Sequence, residues 1–226
     1  MSGYLDWKNW DYDSFGHLSK SDYYYFKLLF KKFKLGSINA VLEVGFGNGS
    51  FLSFLKELGI KTSGVELEKE LVLTAKRKGY KAYQDIKEIT EKFDLIVCFD
   101  VLEHIPQEEI VAFLKELEEM LLPFGKIIIR VPNGSSPLGL TNQNGDPTHV
   151  NTLTASKMAY YLANTNLSMT YSNGDIYPIY NGKITKIFSR FLKKILRIFI
   201  EKIIRFIFSP LSKGILSANA IFILEK

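Results

Sequence analysis

A single cysteine, Cys98, in a chain of 226 residues excludes a disulfide framework and a cysteine-rich zinc site. No charge-free apolar run approaches the roughly 20 residues that a membrane span needs. The opening stretch MSGYLDWKNWDYD lacks a basic start followed by an apolar run, so no secretory leader is expected. A reducing, cytoplasmic location fits the lone cysteine and the missing leader. There is no internal repeat and no low-complexity tract. With 46% hydrophobic and 23% charged residues, wholesale disorder is excluded, and one domain or one domain with additions is expected.

The charge that is present is unevenly spread. The net charge is +5, which on its face suggests an anionic partner. Yet residues 183–213 alone hold nine Lys/Arg and one acid, Glu201, a net of +8. The remaining residues therefore carry −3, and the basic balance belongs to one segment.

Hydrophobic periodicity organises the rest. Residues 1–18 are polar and aromatic, with Tyr4, Trp7, Trp10, Tyr12 and Phe15. Residues 21–34 read as a helix capped by Ser21 or Asp22. Short apolar runs at 40–44, 61–66, 80–84, 93–100, 125–132, 167–172 and 217–226 read as strands. Helical stretches at 50–58, 68–78, 107–122 and 154–163 alternate with them, with Gly59, Gly79 and Pro123 as stops. Continuous apolar runs between helices imply a mostly parallel sheet covered on both faces. Residues 133–149 read as a loop of 17 residues, a length that usually carries function.

One turn stands out. Glu43-Val44-Gly45-Phe46-Gly47-Asn48-Gly49 ends the first strand and opens a helix. Glycines there permit a tight turn and close approach of a ligand to the backbone. The spacing Gly-x-Gly-x-Gly differs from the dinucleotide fingerprint, whose third glycine comes one position later. The carboxylate of Glu43 would repel a pyrophosphate and attract a cationic ligand. At the end of the second strand, Glu66 in Gly64-Val65-Glu66-Leu67 can accept both hydroxyls of a ribose.

With Gln84-Asp85-Ile86, the run Phe93 to Pro106 (FDLIVCFDVLEHIP) and Gly125 to Ile129 (GKIII), residues 38–175 resemble the class I S-adenosylmethionine-dependent methyltransferases. The most similar subgroup methylates small molecules and sugars, including in O-antigen and capsule biosynthesis. The resemblance implies a Rossmann-like α/β fold with a seven-stranded, mostly parallel sheet. It places Gly45, Gly47, Asn48 and Gly49 against the methionine part of the cofactor and Glu43 toward its amino group. Glu66 would hold the ribose, Asp85 the adenine amino group, and Leu67 and Ile86 the adenine faces. Phe99 and Asp100 would flank the methionine carboxylate and the sulfonium.

Methyl transfer to an alcohol needs alignment and a base. The candidates are His104, in Leu102-Glu103-His104, and His149, at the end of the 133–149 loop; His17 lies near the N-terminus. For His104 a purely structural role in the turn stays open beside the catalytic one. Asp100, Glu103, His104 and His149 also form a candidate Mg²⁺ or Mn²⁺ site, resembling metal-dependent O-methyltransferases of RNA ends and quinones, with Asp100 departing from the usual Glu. The aromatic residues Trp7, Trp10, Tyr12, Tyr23 and Tyr24 are candidates for the acceptor pocket or for a capping core helix.

On a helical projection of 183–213, Lys186, Arg190, Lys193, Lys194, Arg197, Glu201 and Arg205 share one side, and Phe188, Phe191, Leu192, Ile195, Phe199 and Phe206 lie on the other. Such a helix lies in an anionic membrane interface, packs on the sheet, or forms a homodimer face. Interleaved Phe and Ile suit acyl chains better than phosphates, so nucleic acid is not expected. The expected organisation is an aromatic helical cap (1–37), a cofactor-binding core (38–180), a basic amphipathic insert (181–214) and a last strand (215–226). The expected activity is O-methylation of a sugar or lipid-linked glycan by a cytoplasmic enzyme peripheral to the inner membrane face. The alternatives are O- or N-methylation of a quinone, lipid, other small molecule or RNA, or a non-catalytic module that binds cofactor or membrane.

Overall fold

The computed structural model describes residues 12–178, 184–208 and 214–226, with the side chains of 184 and 186 excepted. Within it run α1 (Lys20–Phe33), β1 (Ala40–Val44), α2 (Ser50–Glu57), β2 (Lys61–Val65), α3 (Lys69–Arg77), β3 (Lys81–Tyr83), β4 (Phe93–Phe99) and α4 (Ile110–Met120). Then follow β5 (Leu121–Pro132), α5 (Leu140–Gly145), α6 (Ala155–Leu162), β6 (Ser168–Gly174), α7 (Ile184–Phe208) and β7 (Asn219–Glu225). Tyr4, Trp7 and Trp10, Lys183 and Lys213 lie outside the described residues.

The strands form one seven-stranded sheet in the order β3-β2-β1-β4-β5-β7-β6. Neighbours from β3 to β5 are parallel, while β7 runs antiparallel to both β5 and β6. Alternate residues of the central strands serve opposite faces, and both faces are covered. Leu42, Ile96, Ile127, Ile129 and Phe222 join one core. Val41, Leu95, Val97, Ile128 and Ile221 join the other. Each such side chain contributes about 1.5–3 kcal/mol on burial, and this two-sided burial explains why the strands read as unbroken apolar runs.

Three local expectations are corrected. The cap of α1 is Ser19, whose hydroxyl accepts the Asp22 N–H at 3.1 Å; Asp22 sits inside the first turn, where its charge favours the helix N-terminus. The helix expected over 107–122 is shorter, and β5 starts at Leu121 with no loop between. Pro123 thus belongs to β5, where the β4–β5 register shifts and the missing N–H breaks no regular ladder. The 133–149 segment is not wholly loop: it contains α5, entered through Gly139, where a Cβ would collide with the Asn133 backbone.

The cap helix is continuous with the core. Phe26 and Leu29 of α1 are buried against α2, with the Phe26 ring 4.9 Å from Phe51 and 5.4 Å from Phe54. Tyr23 packs on Phe54 at 5.6 Å, so these aromatics are spent on packing.

Candidate functional site

A cleft of about 1170 Å³ opens at the carboxyl ends of β1, β2, β3 and β4, with α4 as its far wall. This is where open α/β sheets bind ligands, because the loops leaving the strands diverge there. Gly45, Glu66, Leu67, Asp85, Ile86, Phe99, Asp100 and His104 all line it. Eight sequence-predicted positions from four different strand ends therefore meet in one cavity.

The glycine turn meets the cleft through Gly45, while Gly47, Asn48 and Gly49 do not line it. Gly45, Gly47 and Gly49 have φ of 72°, 49° and 71°, a region that L side chains enter only at a cost. A Cβ on Gly45 would sit 2.5 Å from Val101 Cγ2, and one on Gly49 would sit 2.5 Å from the Phe15 ring. Phe15 belongs to the segment before α1, and the Gly16 N–H donates to the Asn48 carbonyl at 2.7 Å. That segment lies over the turn and closes it from outside.

Beneath the turn are buried acceptors. Glu66 takes the Gly47 N–H at 2.9 Å and the Glu68 N–H at 3.2 Å, which ties the tip of β2 to the turn. Burial raises the Glu66 pKa, and these N–H donors oppose the rise. Glu43 is fully enclosed and does not wall the cleft. Burial, and next the charge of Glu66, hold its carboxyl well above the usual carboxylate range. Glu43 Oε2 and Asn48 Oδ1 are buried without a hydrogen-bond partner. Neither residue lines the cleft, so the structure does not bring the predicted Glu43 and Asn48 to the cofactor space. Leu67, 82% exposed, and Ile86 offer apolar faces across the cleft. Asp85 faces the same space, and its carboxylate also caps the turn at Ile86–Glu88 by accepting the Lys87 N–H at 2.9 Å.

Asp100 leaves β4 with φ of 56°, and its N–H donates to the Arg130 carbonyl at 2.8 Å. Its two carboxylate oxygens accept from Nε and Nη2 of Arg130. Burial is the largest single influence and disfavours the Arg130 charge, but Asp100, Tyr25 and Asp175 together outweigh it and raise the pKa. The guanidinium lies 4.8 Å from the Phe99 ring centre and 5.5 Å from that of Tyr25. Tyr25 in turn donates to Asp175 at 2.8 Å. Burial pushes the Tyr25 hydroxyl pKa up, with Arg130 opposing. Sequence reasoning missed Arg130, Tyr25 and Asp175. The one signal was a lone charge at the end of the apolar run in Gly125-Lys126-Ile127-Ile128-Ile129-Arg130-Val131.

The histidines meet. The His104 and His149 ring centres are 4.6 Å apart, and Glu103, His104 and His149 offer ligand atoms all within 4.8 Å of one another. Asp100 is not in that group, because Arg130 holds it, which corrects the four-residue metal site. His104 Nδ1 lies 3.2 Å from the Thr148 carbonyl and 3.0 Å from its hydroxyl, which itself donates to Asp146 at 2.5 Å. Both neighbours act as acceptors, so Nδ1 carries the hydrogen and Nε2 has the lone pair. His149 is mostly buried and does not wall the cleft. Its Nδ1 faces the Gln143 carbonyl at 3.2 Å, and its Nε2 lies 3.4 Å from Asp146 and 4.0 Å from Glu103. Tyr12, Tyr23, Tyr24 and His17 do not wall the cleft either.

With this geometry in hand, the chain compares as follows. A family model described as a methyltransferase domain matches residues 19–172. A ubiquinone biosynthesis O-methyltransferase of Xanthomonas oryzae pv. oryzae is 23% identical over 159 residues, which cover 61% of this chain and 66% of that protein, just under two thirds of its length. A SAM-dependent methyltransferase from Archaeoglobus fulgidus superposes with a TM-score of 0.61 at 18% identity, covering 89% of this chain and 93% of that one. Magnesium protoporphyrin IX methyltransferase from Synechocystis PCC 6803, solved with bound SAH, superposes with a TM-score of 0.55 at 17% identity, covering 88% and 78%.

Proposed function

The chain belongs to the methyltransferase domain family, and from that premise we propose that it binds S-adenosylmethionine in the cleft and methylates an oxygen of a small-molecule acceptor. The observation that carries the reading is the meeting of three left-handed glycines at the end of β1 with Glu66 at the end of β2. Among the cleft residues, Glu66 suits the donor's ribose hydroxyls, Leu67 with Ile86 its adenine, and the backbone at Gly45 its methionine part. Neighbours of the same fold that carry SAH in their structures support the choice of cofactor. The cofactor supplies an activated methyl group, which an in-line attack by the acceptor oxygen removes.

His104 is the residue best placed to take the acceptor proton. It walls the cleft, and the Thr148 carbonyl and hydroxyl beside Nδ1 orient its ring. Asp146 steadies Thr148 and so orients the imidazole at one remove. Arg130 and Asp100 set the shape of the cleft end of β4.

For the acceptor, the relatives favour a hydroxylated quinone precursor over the glycan expected from sequence, since the curated match is an O-methyltransferase of ubiquinone biosynthesis. A second reading replaces His104 as base by a divalent cation held by Glu103, His104 and His149. One carboxylate and two imidazoles suit Mn²⁺ or a related ion, which would lower the pKa of an acceptor hydroxyl.

Calorimetry with SAH, followed by transfer of labelled methyl groups to catechol-type quinone precursors and to lipid-linked glycans, tests the proposal. SAH binding with transfer to the catechol is the expected result. Absence of SAH binding overturns it, and transfer to the glycan alone overturns the choice of acceptor. EDTA followed by Mn²⁺ tests the ion; activity indifferent to both removes it.

A further inference from the structure

The basic segment keeps its amphipathic pattern and wears it inside out. In α7, Ile187, Arg197, Glu201, Ile204 and Arg205 are half-buried. Projected at 3.6 residues per turn, these five share one arc of about 100°, the arc that also carries most of the charges. The opposite arc is apolar and faces solvent: Phe188 is 67% exposed, Phe199 60% and Phe206 89%. Phe191, Leu192, Ile195 and Ile203 complete it, all exposed. A helix that packs on its own sheet turns its apolar face inward. This one does the reverse, so packing on the sheet no longer accounts for it.

The mounting of α7 is specific. Arg197 stacks 4.1 Å from the Tyr177 ring centre. Glu201, the lone acid of the segment, accepts from Arg205 and from the Gly214 N–H, both at 3.1 Å. Gly214, with φ of 70°, crosses Gly174 so tightly that a Cβ would strike the Gly174 backbone. Asn133 then donates to the carbonyls of Gly214 and Ser217 at 3.0 and 3.2 Å. The polar side of α7 is thus fastened to the protein. Its roots also stand at the cleft end of the sheet, because Gly174 pairs with Ala220 and Pro132 with Asn219 there.

We propose that α7 docks this protein on an anionic phospholipid bilayer, its outward apolar face entering the headgroup region and its basic residues meeting the lipid charge. Charge selects this occupant over a second copy. Ile184–Phe208 holds seven Lys/Arg against Glu201, a net of +6, and a symmetric dimer through α7 would oppose two such helices. An anionic surface neutralises them. Arg190, Lys193 and Lys194 are exposed along the charged flank, and Lys202, at the border of the apolar arc, has a stem long enough to carry its ammonium to headgroup level. No helix among the described residues is long and apolar enough to cross a membrane, so α7 lies along the surface. The proposal stands independently of the methyl-transfer reading.

The test is co-sedimentation of the full chain with phosphatidylcholine vesicles, with and without phosphatidylglycerol. Binding is expected only with the anionic lipid and is expected to weaken as salt rises. Phe191→Asp with Phe199→Asp should abolish it. Arg190→Glu, Lys193→Glu and Lys194→Glu together should weaken it by about two orders of magnitude. Arg197 is left alone because it holds Tyr177. Melting temperature and SAH affinity of each variant report that the core is intact. No binding by the intact chain overturns the proposal, as does equal binding to neutral vesicles. A dimer that Phe199→Asp dissolves, without vesicle binding, overturns it in favour of self-association.

Discussion

The glycine turn and α7 invert each other's solvation. Under the turn, the carboxylate of Glu43 and the amide oxygen of Asn48 are shut away from water. Along α7, phenylalanines stand in it. Each arrangement is costly in an isolated protein, whether a polar atom is buried without a partner or a large ring is left in water. The difference teaches that burial alone does not follow polarity in this fold: the turn hides polar atoms and α7 shows apolar ones.

Four measurements would break or sharpen that contrast. The largest effect is expected at Glu66. Glu66→Ala removes a charged acceptor from the mouth of the cleft, and SAH affinity measured by calorimetry should fall about 100-fold, the equivalent of ~2.7 kcal/mol. Phe199→Asp should leave that affinity unchanged; a joint loss would mean the two regions are not separate.

Next comes Gly49→Ala. A side chain at φ of 71° and 2.5 Å from the Phe15 ring should lower unfolding free energy in urea by about 2–3 kcal/mol. In a Phe15→Ala background the steric part should vanish and the backbone part remain.

Glu43→Gln should act through pH. The folded carboxyl binds its proton more tightly than the unfolded chain does, chiefly because it is buried. Its contribution to stability is therefore fully present below the ordinary carboxylate pKa and is lost as pH rises through the raised one. Thermal melts of Glu43→Gln should show a flatter pH dependence, with a gain on the order of 1 kcal/mol at neutral pH. An unchanged profile would mean that the buried charge is compensated.

The smallest effect is expected on α7. Phe188→Ser and Phe206→Ser should change unfolding free energy by no more than about 0.5 kcal/mol, since exposed rings contribute little to the fold. A large loss would show that the outward face is covered by the protein's own chain.

The sheet was legible because both its faces are buried. Runs such as Phe93–Phe99 carry that burial in their composition, and the turn at Gly45–Gly49 announced its backbone through its residue types. What escaped reading is what depends on distance along the chain. Arg130 looks like an ordinary strand residue until Asp100 and Tyr25 arrive beside it, 30 and more positions away. Glu43 signalled a cationic ligand in sequence, yet its enclosure beneath the turn comes from the packing of β1 between β2 and β4. The periodicity of α7 gave its two faces with no indication of which one points outward. That is decided by Glu201, Arg197 and their partners at Gly214 and Tyr177.

The position of β7 has a consequence for the order of assembly. Among the described residues β6 pairs only with β7, and β7 follows β5 and β6 in the chain. During translation β5 therefore waits with an open edge and β6 waits unpaired, while α7 has already been made with its apolar face bare. Two adhesive surfaces coexist on the nascent chain until residues 219–225 slot between β5 and β6. Closure demands contacts that are remote in sequence, which slows it and lengthens the exposure.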